Sequence, residues 1–468
     1  MPDSAPSIVI IGAGFSGSLL ALHLLKQGPP DLRISLIERQ AGFGRGLAYS
    51  AQNPRHLLNV RVGNMSAWPG DPGHLTRWLA ETEGHAGADL AFITRETYGR
   101  YIASMLQAAM AGPDGAQRLQ LEHDEAVRVA PAEAGRLAVT LAMGRTLETD
   151  VAVLALGNLP PSTPHGLGLE ALAPGLYAAD PWAEGALEGL APDAPVLLLG
   201  SGLTMIDVAL GLEAHGHGGV AHGLSRRGLA PRRHTGLVKP HTAPSQPIGA
   251  PLSRRLALVR RRTREVGWRQ AVDEVRASLH SLWRQASPAE QRRFLRHLRP
   301  WWDMHRHRMA PAVADWFDAR RAAGRLKLGA GRILGVTLAD DGVTVTWKPR
   351  GQREPKTLHV ARIINCTGPG GDPAAASAPL IRGLFADGAV RAHPLGLGLD
   401  VTGEGQAIDA AGRAEAPLYA VGPLTRGAHW EITAVPDIRN QVADLAERLV
   451  RHPSLRARGK AAVAEDGR

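Results

Sequence analysis

The fold is decided by residues 8–17, which read IVIIGAGFSG. The run of β-branched apolar residues stops abruptly at Gly12, which is how a buried parallel strand ends. The GxGxxG pattern supplies glycines for a tight turn, for close approach of the backbone to a pyrophosphate, and for close packing of a helix on a strand. A helix at about 16–26 and a second strand at 34–37 complete a predicted βαβ unit.

Glu38 stands at the end of that second strand, where an acidic residue accepts hydrogen bonds from ribose hydroxyls. The glycine pattern alone would be weak in a chain with 54 glycines. A preceding strand, a following helix and a well-placed carboxylate make it specific. The predicted first dinucleotide site comprises Gly12, Gly14, Phe15, Ser16, Gly17, Glu38 and Arg39.

A second glycine loop occurs at residues 195–202, which read PVLLLGSG. A predicted helix at about 204–212 and a strand that ends near Leu224 follow it, so the architecture of the first unit is repeated. The third glycine of the pattern is absent. The spacing nevertheless agrees, because Glu38 follows Gly14 by 24 positions and Arg226 follows Gly202 by the same 24 positions.

The strands that follow the two loops therefore end in opposite charges, which predicts that the two sites bind different nucleotides. A guanidinium pairs with the 2′-phosphate of NADP, whereas a carboxylate would repel it. Arg226 and its neighbour favour NADPH over NADH, although a solvated basic turn is the alternative interpretation. The predicted NADPH site comprises Gly200, Ser201, Gly202, Leu203, Thr204, Ser225, Arg226 and Arg227.

Composition restricts the class of protein. With 468 residues, 44% of them hydrophobic and 21% charged, the chain suits a globular protein of two or three domains. The net charge of +10 favours anionic partners, but no zinc pattern, basic heptad or aromatic-basic motif points to nucleic acid. Cys366 is the only cysteine, so dithiol chemistry is disfavoured and a small buried residue is expected there. Without a signal-like or membrane-spanning segment, we expect a cytoplasmic protein.

Further segments complete the predicted organisation. Apolar strands at 151–157 and 362–368 each end in glycine, and 336–347 is predicted as a hairpin with its turn at 340–342. Residues 250–326 are predicted as a helical insertion rich in Arg, Trp and His. The predicted boundaries are 1–170 for the first part of an FAD domain, 171–358 for an NAD(P)H domain with the insertion, 359–455 for the second part of the FAD domain, and 456–468 for a frayed tail.

The insertion contains candidate substrate residues. Arginines could bind an anionic substrate and tryptophans could enclose it, so this segment is either a substrate lid or an ordinary helical interface. The histidines at 305 and 307 do not share one helix face, so no metal site is predicted. The candidates are Trp301, Trp302, Arg306 and Arg308.

The chain resembles the flavoproteins with two dinucleotide-binding domains, specifically the bacterial FAD/NAD(P)-binding proteins related to flavin-containing and N-hydroxylating monooxygenases. Residues 10–17, 44–50, 56–60, 200–207 and 430–439 carry this resemblance. It implies an α/β fold with two Rossmann-like, glutathione-reductase-type domains, and FAD in the first of them. It further implies FAD contacts from Asn59, Met65, Arg95, Gly422 and Pro436, to which we add Gly157 at the end of its apolar strand.

Two departures from the family pattern stand out. Residues 176–182, LYAADPW, lack the histidine that monooxygenase subgroups carry before the second loop, and Pro423 replaces an acidic residue after Gly422. The expected function is nevertheless an FAD-dependent NADPH oxidoreductase, a monooxygenase that transfers oxygen from a flavin hydroperoxide to a small nucleophile such as an amine or amino acid. A non-oxygenating flavin reductase or dehydrogenase is one alternative, and a non-enzymatic FAD-binding redox sensor is another.

Overall fold

A computed structural model describes residues 5–50, 53–234 and 250–455, so the predicted tail at 456–468 lies outside the described residues. The chain forms two compact units. The first contains Met1–Gln52, Val60–Leu159 and Gly371–Arg468, and the second contains Asn53–Asn59 and Pro160–Gly370.

The strands, in chain order, are β1 Ser7–Ile11, β2 Arg33–Glu38, β3 Leu119–His123, β4 Ala126–Pro131, β5 Leu137–Leu141, β6 Thr146–Thr149, β7 Val151–Leu154, β8 Tyr177–Ala178, β9 Val196–Leu199, β10 Ala221–Ser225, β11 Leu326–Ala339, β12 Gly342–Pro349, β13 Lys356–Val360, β14 Arg362–Asn365 and β15 Leu418–Ala420. The α-helices are α1 Phe15–Gln27, α2 Gly46–Tyr49, α3 His74–Glu83, α4 Arg95–Ala111, α5 Gly115–Arg118, α6 Leu203–Ala214, α7 Leu252–Val266, α8 Trp268–Gln285, α9 Pro288–Arg293, α10 Arg299–Arg306, α11 Pro311–Ala322, α12 Pro379–Ala386 and α13 Val435–Val450. A π-helical segment, Phe294–Leu298, joins α9 to α10.

The first unit is built on a parallel sheet of five strands in the order β15-β7-β1-β2-β3. The central strand β1 is apolar because it is covered on both faces, and Ile8 and Ile10 are completely buried. Helix α1 packs against α13. A separate antiparallel sheet, β4-β5-β6, contributes Val129, Val139 and other residues to the same core. The predicted βαβ unit is confirmed, with helix and strand ends within one residue of expectation.

The second unit is built on a mixed sheet of seven strands in the order β13-β12-β11-β10-β9-β14-β8. Strands β8, β14, β9, β10 and β11 run parallel, and β11, β12 and β13 are antiparallel. The predicted hairpin is confirmed, because Ala339 pairs with Gly342 and leaves Asp340 and Asp341 as a two-residue turn.

The helices α7 to α11 are inserted between β10 and β11, as the sequence predicts. Their polar surface is held by ion pairs. Glu274, which is buried, accepts two 2.9 Å hydrogen bonds from the Arg262 guanidinium. These bonds and a further ion pair to Glu265 raise the pKa of Arg262. This buried carboxylate therefore joins α8 to α7.

The boundaries between the units differ from the predicted ones. Strand β14 was expected to return the chain to the FAD domain, but it pairs with β9 in the sheet of the second unit. The first unit resumes only at Gly371. A short apolar strand that ends in glycine is the same signal in either domain, so the pattern could not assign β14 to its sheet. The segment Asn53–Asn59 also belongs to the second unit.

Among residues 5–50, 53–234 and 250–455, no helix combines the length and the apolar character needed to cross a bilayer.

Candidate dinucleotide-binding sites

Two glycines of the first loop, Gly12 and Gly17, are required by steric contacts. Gly12 has φ +102°, and a β-carbon there would lie 2.6 Å from the carbonyl oxygen of Ala155. A β-carbon on Gly17 would overlap the carbonyl oxygen of Gly12, so only glycine lets α1 approach the strand. Gly14 is the N-cap of α1 and has an extended conformation. A β-carbon on Gly14 would lie 3.5 Å from the α-carbon of Gly46, an ordinary contact distance.

Glu38 organises this loop directly. One carboxylate oxygen accepts a hydrogen bond from the Ala13 N–H at 2.9 Å, and the other accepts from the Gln40 N–H at 3.0 Å. Each oxygen retains a further lone pair for a ribose hydroxyl. Arg39, by contrast, is an exposed side chain that pairs with Glu125 at 3.3 Å.

A second glycine-rich segment packs on the first loop. The Gly44 N–H donates to the Ala13 carbonyl at 2.8 Å, and a β-carbon on Gly46 would lie 2.8 Å from the Gly14 α-carbon. Gly44 and Gly46 have φ values of +91° and +53°, which glycine adopts without strain. The backbone of residues 44–46 therefore forms one wall of a cradle around Gly14.

Gly422 is brought to the same cradle. A β-carbon there would lie 2.5 Å from the hydroxyl oxygen of Ser16, and its φ is +76°. The Gly422 N–H donates to the side-chain oxygen of Gln441 at 2.8 Å, and the Gln441 amide donates to Thr425 at 2.9 Å. Sequence reasoning missed Gln441, because a single polar residue one to two turns into a helix carries no recognisable signal.

The last helix, α13, contains the predicted FAD residue Pro436. Pro436 lies in the first turn of α13, Asp437 is acidic there, and the N-cap residue Ala434 offers no side-chain cap. Just before it, the buried residue Glu431 has φ +73°, which costs energy for a residue other than glycine. Such strain is concentrated at functional sites, and no sequence pattern could have indicated it at Glu431.

The other predicted FAD residues are more dispersed. Met65 is buried and its carbonyl accepts from the Tyr98 hydroxyl at 3.0 Å. Arg95 begins α4 and donates to the Ala48 carbonyl at 3.4 Å, and Gly157 has φ +69° with open space around it. Asn59 belongs to the second unit, where its carbonyl lies 2.9 Å from His234 Nε2. Its contact with FAD stays a prediction.

The second loop reproduces the geometry of the first. Gly200 has φ +117°, and a β-carbon there would overlap the carbonyl oxygen of Cys366. Gly202 is the N-cap of α6 with φ −85° and ψ −166°, close to the values of −71° and −165° at Gly14. Leu203 and Thr204 form the first turn of α6 and are half-buried.

Met205 occupies the position of the missing third glycine. It is completely buried, and its sulfur lies 3.6 Å from where a β-carbon on Gly223 would be. A β-carbon on Gly223 would be in ordinary contact with that sulfur but would overlap Leu328 Cδ2, at 2.9 Å, so Gly223 makes room for Leu328 on β11. A glycine inside a strand indicates such a close approach, so Gly223 itself was the available signal.

The serines of this site hold the loop together. The Ser201 hydroxyl donates to the Leu229 carbonyl at 2.6 Å and lies 2.8 Å from the Ser225 hydroxyl, which accepts from the Gly228 N–H at 2.9 Å. These bonds within the protein already use the hydroxyl of Ser225, which the sequence predicts as part of the NADPH site. The structure therefore favours a positioning role for both serines.

The two arginines after β10 differ in their surroundings. Arg226 is exposed and makes no hydrogen bond or ion pair among the described residues. The Arg227 guanidinium lies 6.0 Å from the ring centroid of Trp301, which is 44% exposed. A predicted nucleotide residue and a predicted substrate residue are thus neighbours within the second unit.

Arg308 has a structural environment that disfavours the predicted substrate role. It is buried, and its guanidinium makes two bonds to the Asp273 carboxylate, at 2.8 and 3.2 Å. It also donates to the carbonyls of His305 and Arg269. In the sequence, Arg308 lies in a run of basic residues, and such a run does not show which of its side chains is buried. Arg306, at the end of α10, stays a candidate, and Trp302 is half-buried on the same helix.

Both loops fit a phosphate group. Neither α1 nor α6 has a side-chain cap, so the first-turn N–H groups of each helix have no acceptor among the described residues. These donors and the helix dipole bind anions. Ser16 adds a hydroxyl that makes no hydrogen bond among the described residues. A pyrophosphate suits the cradle at Gly14, which a β-carbon would narrow.

The model of a family described as FAD-NAD(P)-binding matches residues 9–159, which contain the first loop and its flanking strands. A related protein is the L-aspartate N-monooxygenase (nitrosuccinate-forming) of Streptomyces cremeus, 35% identical over 176 residues. That match covers 35% of this chain and spans about a quarter, 26%, of the length of the relative.

Solved structures extend the likeness beyond the FAD-NAD(P)-binding segment. L-lysine 6-monooxygenase from Pseudomonas syringae superposes with a TM-score of 0.65 at 16% identity, and ornithine hydroxylase from Pseudomonas aeruginosa with 0.63 at 17%. Each match covers 96% of this chain and 99% of the other. Bacillithiol disulfide reductase from Staphylococcus aureus matches with 0.55 at 14%, covering 96% and 98%. The chain therefore has the same α/β fold as these proteins.

Proposed function

We propose that this protein is an FAD-dependent NADPH oxidoreductase that adds one oxygen atom to the nitrogen of a small amino acid. The observation that carries the proposal is the pair of glycine loops with one geometry and opposite charges at their strand ends. Glu38 follows the first loop and Arg226 follows the second. One loop thereby suits a ribose with free hydroxyls, and the other suits a ribose with a 2′-phosphate.

The first site would hold FAD through its backbone. The first-turn amides of α1 would donate to the pyrophosphate, and the glycines at 12 and 14 would let the backbone approach it. Glu38 would accept from ribose while it keeps the Ala13 N–H. Bound FAD supplies hydride acceptance and oxygen activation, which side chains alone cannot provide.

The second site would hold NADPH. The first-turn amides of α6 would bind its pyrophosphate, and Arg226 would pair with the 2′-phosphate, since its guanidinium has no protein partner among the described residues. Ser201 would keep the loop closed through its bond to the Leu229 carbonyl. Because Arg227 lies against Trp301, it would be a weaker second phosphate contact.

The substrate class is proposed from chemistry that the similar proteins share. Their names specify aspartate, ornithine and lysine, and each of these amino acids offers an amine. In the balanced reaction, the amine, O₂, NADPH and a proton give a hydroxylamine, water and NADP⁺. The net charge of +10 favours an anionic amino acid such as aspartate.

The rival function is electron transfer without oxygenation, which the likeness to a disulfide reductase favours. The chain itself argues against a dithiol route. Cys366 is its only cysteine, it is buried, and burial together with the charge of Asp207 raises the pKa of its thiol. Any such activity would need an external electron acceptor.

An experiment on the purified holoprotein separates these possibilities. Anaerobic titration with NADPH, and separately with NADH, should bleach the flavin with NADPH at lower concentration. Oxygen is then readmitted with L-aspartate, L-ornithine or L-lysine, and mass spectrometry tests for a product that has gained one oxygen atom. Absence of bleaching would overturn the oxidoreductase proposal. Bleaching and oxygen consumption without an oxygenated product would favour the reductase.

A further inference from the structure

The inserted helices line a partly open apolar cavity of about 330 Å³, and all of its lining residues belong to the second unit. This volume falls in the range of small-molecule sites. Helices α7, α8 and α10 and the π-helical segment contribute its walls. The aromatic part of the lining consists of Trp268, Trp283, Phe294, Trp301 and Trp302.

One charged side chain is buried in this wall. Arg255, on α7, is only 9% exposed and lines the cavity. Its Nη1 makes a long contact of 3.5 Å to the Leu282 carbonyl, and its fully buried Nε has no acceptor among the described residues. A guanidinium carries five N–H donors, and leaving donors unbonded in an apolar place is costly. Because the long bond to Leu282 is the one hydrogen bond that this guanidinium makes within the described part of the chain, its terminal nitrogens are the donors left for whatever fills the cavity.

The nearby carboxylate of Glu290 does not satisfy Arg255. Its oxygens accept from the Leu252 N–H and from the backbone and hydroxyl of Ser287, each at 3.2 Å. Hydrogen bonding to Ser287 lowers the pKa of Glu290, so it stays charged and capped. No ion pair joins Glu290 to Arg255 among the described residues. An additional acceptor on Arg255 is thus compatible with the wall.

We propose that this cavity is a binding site for a small hydrophobic carboxylate, with the carboxylate on Arg255 and the alkyl or aromatic body against the tryptophans. Charge complementarity selects an anion, because the buried cation is the group with unmade hydrogen bonds. The apolar lining selects a body that an amino acid substrate lacks. No lining residue belongs to a glycine loop, although Trp301 also neighbours Arg227, and the proposal does not depend on the proposed redox function.

The test is isothermal titration calorimetry on the full-length holoprotein with octanoate, and with 1-octanol as the neutral counterpart of the same length. Octanoate should bind with a stoichiometry of one. Octanol should bind about tenfold more weakly or worse, because it cannot form charge-assisted hydrogen bonds with the guanidinium. Equal affinity for the two probes would overturn the proposal.

Three variants locate the site. Arg255→Met should weaken octanoate binding about tenfold while octanol binding is retained. Val259→Phe fills the cavity, leaves the arginine in place and should weaken both probes. Arg254→Met, at an exposed position on the same helix, is the matched control and should change neither.

Thermal melting checks that each variant is folded. If Arg255→Met does not fold, the two probes and Val259→Phe still decide the question. Unchanged octanoate binding in Val259→Phe or in folded Arg255→Met would contradict the proposal. The proposal would also be contradicted if octanoate did not bind and the protein instead dimerised in a concentration-dependent way that Val259→Phe abolishes. In that case a second copy of the chain would cover the apolar lining.

Discussion

The carbonyl oxygen of Ala155 lies 2.6 Å from the place where a β-carbon on Gly12 would stand. Ala155 directly follows β7, which pairs with β1, so the end of this neighbouring strand packs against the first loop at Gly12. The second unit repeats the arrangement with Cys366, which follows β14, and Gly200. In both units the strand-end carbonyl, together with a positive φ, requires glycine at the first position of the loop.

Gly12→Ala should therefore lose FAD. The substitution combines a backbone conformation that costs roughly 1–2 kcal/mol for an L-residue with overlap against Ala155. We expect the flavin-to-protein ratio after purification, measured by absorbance, to fall at least about tenfold.

Gly42→Ala is the matched control for this prediction. Gly42 has φ +108° but nothing within 4 Å of a β-carbon, so it reproduces the backbone strain without the overlap. Flavin content should be nearly unchanged in this variant. Equal flavin loss in both variants would mean that strain alone, and not contact with Ala155, governs binding.

Arg226→Ala should weaken NADPH selectively. The exposed guanidinium has no protein partner among the described residues, so stability should be unchanged while a charge-assisted contact is lost. Such a contact is worth about 1.5–3 kcal/mol, which predicts a rise of roughly tenfold to a hundredfold in the KM for NADPH.

The KM for NADH should stay constant, because NADH has no 2′-phosphate. Arg254→Ala provides a control for the loss of one exposed positive charge elsewhere in the same unit. A parallel rise for NADPH and NADH would place Arg226 away from the 2′-phosphate and favour a solvated basic turn.

Much of the architecture could be predicted because local signals and tertiary structure agree. The glycine loops, the strands before them and the turn at Asp340 and Asp341 each have a backbone requirement that only a few residue types meet. The fit of Leu328 on β11 against Gly223 on β10 was not predictable in the same way. It depends on two strands that pair only in the folded unit.

Charge patterns were the least reliable guide. Arg308 and Arg306 belong to one basic run, yet Arg308 is buried against Asp273, a residue 35 positions earlier. The sheet membership of β14 was likewise undetermined, because a buried parallel strand has the same apolar pattern in either sheet. Long-range partners decide both cases, and a single sequence does not specify them.

Arg308→Ala should act on stability and not on substrate affinity. The pair with Asp273 has one side chain that is 6% exposed and one that is 39% exposed. Breaking it should lower the free energy of unfolding by about 2 kcal/mol, less than for a fully buried pair. Chemical denaturation measures this loss, and substrate KM should change little.

A double-mutant cycle identifies the partner in this case. Asp273→Ala should cost a similar amount, and the double variant should cost clearly less than the two single losses together. Additive losses would show that Arg308 stabilises the insertion through the carbonyls of His305 and Arg269 and not through Asp273.

Cys366 should resist alkylation in the native protein. Burial, and then the charge of Asp207, raise the pKa of its thiol, so both access and thiolate content are low. Iodoacetamide should label it at least roughly a hundredfold more slowly in buffer than in denaturant. Mass spectrometry of the intact chain measures the labelling. Rapid labelling of the native protein would contradict the buried position of Cys366 beside the second loop.

His23 should make the first unit sensitive to acid. Burial, and then the charge of Lys26, lower its pKa from 6.5 to about 4. The unfolded chain therefore binds a proton between these pH values that the folded chain does not. Stability from this group is fully present above pH 6.5 and is lost as the pH falls towards 4, by an amount on the order of 3 kcal/mol.

His23→Gln tests this linkage. The variant should lose some stability at neutral pH, because the ring packs 4.8 Å from Trp68 by centroid distance, but its unfolding free energy should fall less steeply between pH 6.5 and 4. His85→Gln, at an exposed position in the same unit, should keep the wild-type slope. Urea titrations across this range measure both quantities. The substitution removes the proton uptake of His23 and of no other group. An unchanged slope in His23→Gln would therefore mean that the acid sensitivity arises from other groups.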